Sequence, residues 1–169
     1  MPAHPQPDDW ELYVKAAVVP VMVRFELARF LLPAMRGEGA SWDASSMPIR
    51  CLVVDDSPSF LDAARVLLER EGLTIAGVAS TGAEAVRKAE ALRPDVVLLD
   101  ISLGGESGFD VARQLVDDNR LGGTVILIST HSSADFADLI AESPAAGFLP
   151  KSELSASAIR RILEESRER

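Results

Sequence analysis

Four short apolar runs in this chain each end on a reactive polar residue. CLVV (51–54) runs into Asp55 and Asp56, VVLL (96–99) into Asp100, VILI (125–128) into Ser129 and Thr130, and GFLP (147–150) into Lys151. Runs of this length bounded by turn signals read as buried strands of a parallel sheet. In open α/β sheets, ligands bind beyond the carboxyl ends of the strands. The pattern therefore collects three carboxylates, a hydroxyl and an ammonium group at one sheet edge, a set suited to a divalent cation and a phosphoryl group.

From Ile49 onward, strand and helix signals alternate five times. The spacing predicts strands at 49–54, 73–79, 96–99, 124–128 and 147–149. Ser57 followed by Pro58 reads as an N-cap with proline at the first helical position. An apolar stripe of Phe60, Ala64, Leu67 and Leu68 follows, closed by Gly72. Thr81 and Glu84 have the spacing of a capping box, with Ala85, Ala89 and Leu92 on one face before Pro94. Gly104, Gly105 and Gly108 mark a loop before a helix over 109–118. A short helix is expected near 134–141 and a last one over 154–165, with Ile159, Ile162 and Leu163 inward. Helical links of this length imply right-handed crossovers and a doubly wound α/β sheet.

Composition narrows the function. Net charge is −9, and the part from Ile49 onward carries 20 acidic against 13 basic residues, which disfavours direct nucleic-acid binding. Cys51 is the only cysteine, so an intrachain disulfide is excluded. Residues 1–48 read as an N-terminal extension and linker ahead of a domain over 49–169. Three readings stay open for that stretch: a docking helix near 21–32, a loosely ordered tail, or translated upstream sequence with Met47 as the true start. Charges and prolines interrupt its apolar part, so no membrane span is expected. A reduced, cytoplasmic setting fits the single cysteine.

The polar strand ends admit two readings each. Asp55 and Asp56 repel one another unless a hard cation such as Mg²⁺ joins them, although Asp-Asp-Ser-Pro alone also suits a capped turn. Lys151 is either a solvated loop lysine or a point charge for phosphoryl oxygens. Ser129 is either a turn serine or a donor to the same oxygens, and Thr130 stands beside it as a second candidate. Competing sites are absent from the sequence: no P-loop, no G-x-G-x-x-G after the first strand and no G-x-S-x-G elbow. His4 and His131 lack metal-ligand spacing with Cys51.

Taken together, VVDDSP (53–58), LLDISLGGESG (98–108), ILIST (126–130) and GFLPK (147–151) resemble the receiver domain of bacterial response regulators. The resemblance spans 49–167. It implies a flavodoxin-like (βα)5 fold with strand order 2-1-3-4-5. It implies that Asp100 accepts a phosphoryl group from a sensor histidine kinase or a histidine phosphotransfer protein. Asp55, Asp56, Asp100 and the backbone carbonyl of Ser102 would hold Mg²⁺. Ser129 would be the switch hydroxyl, Phe148 the aromatic that turns with it, and Lys151 the partner of the phosphoryl group. Chemistry would be limited to self-phosphorylation and self-dephosphorylation, with no separate substrate.

Two positions depart from the family pattern, since Gly104 and Ser152 stand where proline is frequent. No helix-turn-helix output domain is expected within these residues, as in a truncated or free-standing relative, so output is expected through a downstream protein at the fourth helix, fifth strand and fifth helix. Phe148, Ile159 and Arg160 are expected on or near that face, which could also serve a homodimer. A constitutive scaffold module and a phosphorelay intermediate remain as alternatives.

Overall fold

The computed structural model describes residues 48–117 and 122–168. Residues 1–47, and with them the readings of the N-terminal stretch, lie outside the described residues, as does Asp118. The chain forms β1 (Arg50–Val54), α1 (Pro58–Arg70), β2 (Thr74–Ala79), α2 (Gly82–Leu92) and β3 (Val96–Asp100). A small hairpin follows, β4 (Ser102–Leu103) and β5 (Glu106–Ser107), then α3 (Gly108–Asp117) and β6 (Thr124–Ser129). A 3₁₀ turn (Ser133–Phe136) leads into the short α4 (Ala137–Glu142), then β7 (Gly147–Pro150), a second 3₁₀ turn (Lys151–Glu153) and α5 (Ala156–Arg167).

Five strands form one parallel sheet in the order β2-β1-β3-β6-β7, which is the expected 2-1-3-4-5 once the hairpin strands are set aside. Parallel strands covered on both faces must be apolar throughout, and β3, Val-Val-Leu-Leu-Asp, is buried at every position. Alternate side chains go to opposite faces. Cys51, Val53, Val96, Leu98, Ile126 and Ile128 meet Leu61, Ala64 and Leu68 of α1 and Ile159, Ile162 and Leu163 of α5. Leu52, Val54, Val97, Leu99, Val125 and Leu127 meet Ala85 and Ala89 of α2 and Val111, Ala112 and Leu115 of α3.

Local chemistry sets the helix ends. Ser57 accepts the Phe60 N–H at 3.4 Å and Pro58 begins α1, as its sequence predicts. Gly72 follows α1 at φ +85°, a left-handed conformation that glycine adopts without penalty. Thr81 caps α2, but Glu84 departs from the capping-box expectation. Its carboxylate accepts the N–H of Ser80, one residue before the cap, and also pairs with Lys88 at 2.7 Å. The Lys88 hydrogen bond, helped by the Ser80 N–H, holds the Glu84 carboxyl down at about 2. Glu71, just past α1, accepts the first N–H of α5 from Ala156, tying the end of α1 to the start of α5.

Leu67 does not join the α1 stripe; it is 38% exposed, and Leu61 takes the inward place. The glycine-marked loop after β3 is built as a hairpin, with Gly104 at φ +52° and Gly105 at φ +104° turning β4 back onto β5. Of the residues expected on or near the docking face, Ile159 is fully buried on the inner side of α5, Arg160 beside it is exposed and Phe148 is half-buried. Cys51 is enclosed in the core, where burial, with a smaller push from Asp95, raises its thiol to about 12. Among the described residues no helix is long and apolar enough to cross a membrane.

Candidate functional site

The ends of β1, β3, β6 and β7 are brought level by the parallel register. Val54 lies beside Leu99, Asp100 beside Ile128, and Ser129 beside Pro150. One more residue along each strand gives Asp55, Asp100, Ser129 and Lys151, all at the same rim. Side-chain oxygens of Asp55, Asp56 and Asp100 lie within 4.8 Å of one another. Asp55 and Asp100 are buried, whereas Asp56 is exposed.

Lys151 closes the cluster. Its Nζ stands 2.5 Å from Asp55 Oδ2 and donates to Asp100 Oδ2 at 3.1 Å. The Asp55 contact is one of charge rather than of well-angled hydrogen bonding. Asp55 Oδ1 accepts the Ser57 N–H at 2.9 Å. Burial pushes the Asp100 carboxyl above the usual carboxylate range, opposed by Lys151 and by the Ser102 N–H. Burial also pulls the Lys151 ammonium down, but its close contacts with the Asp55 and Asp100 carboxylates outweigh it and leave the group raised. Three carboxylates around one ammonium leave an excess of two negative charges if all are ionised. That donor set fits a hard divalent cation, which takes oxygen ligands and keeps water on its open side.

Ser129 is buried at the end of β6, where its Oγ accepts the His131 N–H at 3.0 Å. A hydroxyl in that arrangement retains its own proton as a donor. Thr130 is exposed and its hydroxyl faces His131 Nδ1 at 3.4 Å, so it takes no part in the carboxylate cluster. Phe148 is half-buried on β7, packed against the α2–α3 side of the core. Ser102 opens the β4–β5 hairpin two residues beyond Asp100, and Gly104 lies across from Asp56, 3.6 Å separating Asp56 Oδ2 from the place a Cβ would take. Gly108 could not be anything larger. A Cβ there would meet the Asp100 carbonyl oxygen at 2.1 Å.

Two contacts lie beyond sequence reasoning. Phe60, read only as part of an apolar stripe, holds its ring under the Lys151 ammonium, 4.4 Å from Nζ to the ring centroid. Glu106 of the hairpin accepts the Gly82 N–H at the start of α2 at 2.8 Å. Neither has a sequence signal, because each depends on how distant segments meet.

The family model for the response regulator receiver domain matches residues 51–164. The DNA-binding transcriptional activator EvgA of Escherichia coli K12 is 29% identical over 105 residues, covering 62% of this chain and 51% of EvgA. A protein-glutamate methylesterase/protein-glutamine glutaminase of Idiomarina loihiensis is 33% identical over 106 residues, covering 62% of this chain and 28% of that protein. Among solved structures, the signal receiver domain of NarL from Mycobacterium tuberculosis superposes with a TM-score of 0.62 at 30% identity, covering 72% of this chain and 98% of that one. The chain thus spans about half the length of EvgA and less of the methylesterase. The matched region holds Asp55, Asp56, Asp100, Ser129 and Lys151, and the chain belongs to the response regulator receiver domain family of two-component systems.

Proposed function

We propose that this receiver domain is a phosphorylation-driven switch whose acceptor is Asp100. The carrying observation is Lys151 bridging Asp55 and Asp100, with Asp56 completing the carboxylate cluster. Phosphoryl transfer asks a protein mainly for positioning and charge neutralisation. Lys151 supplies a fixed positive charge on one side of Asp100. Mg²⁺, when bound by Asp55, Asp56, Asp100 and the Ser102 carbonyl, supplies positive charge to the phosphoryl oxygens.

A carboxylate oxygen of Asp100 attacks the phosphorus of a phosphohistidine on a sensor kinase or phosphotransfer protein. A P–O bond forms as the P–N bond breaks, and the bonding electron pair leaves on the imidazole nitrogen. Ser129 then donates its proton to a phosphoryl oxygen, Lys151 pairs with another, and Phe148 repacks beside β6. New phosphoryl charge at a sheet edge can bias a bistable loop in this way. Water later attacks phosphorus and returns Asp100 to a carboxylate, so the domain acts on no substrate other than itself. Output runs through protein contacts at α4, β7 and α5, where Arg160 is exposed, in the cytoplasm. The same face is available for self-association.

The test is incubation with acetyl phosphate and Mg²⁺, with a parallel EDTA reaction, followed by mass spectrometry. One base-labile phosphoryl group is expected on Asp100, absent in EDTA and in Asp100→Asn. Unmodified wild-type protein with every phosphodonor, a cognate kinase included, would sink the reading.

A further inference from the structure

Resting on the phosphorylation reading above, we propose that Phe60 is a positioning residue for phosphoryl transfer, acting through Lys151. The argument begins from a closed circuit of contacts. Asp55 accepts the Ser57 N–H, Ser57 Oγ accepts the Phe60 N–H, the Phe60 ring faces the Lys151 ammonium at 4.4 Å, and Lys151 returns to Asp55. Each member fixes the next. The α1 cap sets the Phe60 backbone in the third helical position, directly over the rim where β7 delivers Lys151.

A lysine ammonium is a compact charge on a flexible stem, so its aim depends on what surrounds it. Two carboxylates hold Lys151, at 2.5 Å and 3.1 Å. The negative face of an aromatic ring attracts the same cation and excludes water. Phe60 also packs against the α1–α5 side of the core, so the ring is itself held. Ring and carboxylates together restrict the ammonium beside Asp100, where charge develops on the phosphoryl group. An aliphatic side chain of similar size would fill the space without attracting the cation.

Two measurements on the full chain test this. Lysine occurs only at positions 15, 88 and 151, so ¹³C-lysine labelling gives few resonances to assign. The Lys151 ε-methylene protons should be shifted upfield by the ring in wild type and return to the ordinary position in Phe60→Leu. With acetyl phosphate and saturating Mg²⁺, Phe60→Leu should lower the maximal phosphorylation rate about five-fold, the scale of one cation–π contact, at unchanged half-saturation. Phe60→Tyr should recover the rate lost in Phe60→Leu, and Phe60→Leu should have no further effect in a Lys151→Met background. A Lys151 resonance that does not move, equal losses in Leu and Tyr variants, or a full additional loss in the Lys151→Met background would each overturn the inference and assign Phe60 to packing alone. A wild-type protein that takes no phosphoryl group while the lysine shift is present would instead remove the reading on which it rests.

Discussion

Lys151→Met keeps the length of the side chain and removes its charge. The ammonium lies 2.5 Å from an Asp55 side chain that is 0% exposed and 3.1 Å from an Asp100 side chain that is 8% exposed, and Lys151 itself is 14% exposed. Removing one partner of a buried ion pair typically costs about 3–5 kcal/mol, because the charge left behind has no compensation. Two features lower that here: water reaches the cluster through exposed Asp56, and Asp100, already raised by burial, can take up a proton. A loss of about 2 kcal/mol is therefore expected, with a melting temperature lower by about 8 °C for a domain of this size. Urea unfolding of wild type and variant in EDTA near neutral pH, compared at equal slopes, measures it. The pH dependence has a definite sign. A carboxyl raised in the folded state gives full stability below its unfolded pKa and loses it as pH rises through the folded value. Asp100 is raised further without Lys151, so the deficit of the variant should shrink on acidification into the carboxylate range. Equal midpoints in EDTA, or a deficit that stays constant with pH, would refute the account of the cluster as mutually compensating charges.

Other outcomes follow from the same geometry. Mg²⁺ at ten times its dissociation constant should stabilise wild type by about 1.4 kcal/mol, and Asp56→Asn, an exposed change, should remove most of that gain in a thermal melt. Gly108→Ala should cost about 3 kcal/mol or more, since the added carbon meets the Asp100 carbonyl oxygen at 2.1 Å and Ile101 Cα at 2.7 Å; a melting temperature like that of wild type would contradict it. Glu84→Ala should lose about 1 kcal/mol near neutral pH through its bonds to Ser80 and Lys88. Its carboxyl is held at about 2 against an ordinary 4.5, so this contribution is present above 4.5 and disappears as pH falls through the folded value; unfolding midpoints across that window check it.

The sheet was legible because buried parallel strands tolerate so little besides apolar residues. Val96 to Leu99 could hardly be anything else, and the polar residue ending each run marks the rim. Helix caps at Ser57 and Thr81 were legible for a similar reason, since few residue types satisfy free N–H groups. Helix faces were less so. Leu61 and Leu67 each fit a stripe with Ala64 and Leu68, and only the seat of α1 on the sheet selects Leu61. The β4–β5 hairpin has two residues per strand, too short for a pattern, and rests on two left-handed glycines. Glu84 bonding to Ser80, and Phe60 meeting Lys151, depend on rotamers and on contacts across the chain.

The bond between Glu71 and Ala156 bears on how the domain opens. It joins α1 and α5, helices far apart in the sequence that cover the same face of the sheet and share one core. Fraying of α5 alone would strip that glutamate of its partner and expose Ile159 and Ile162 together. The two helices should therefore belong to one cooperative opening unit, in which backbone amides of α1 and α5 exchange with solvent at matched free energies. Any partner that grips α5 would then slow exchange in α1 as well, although it need never touch it.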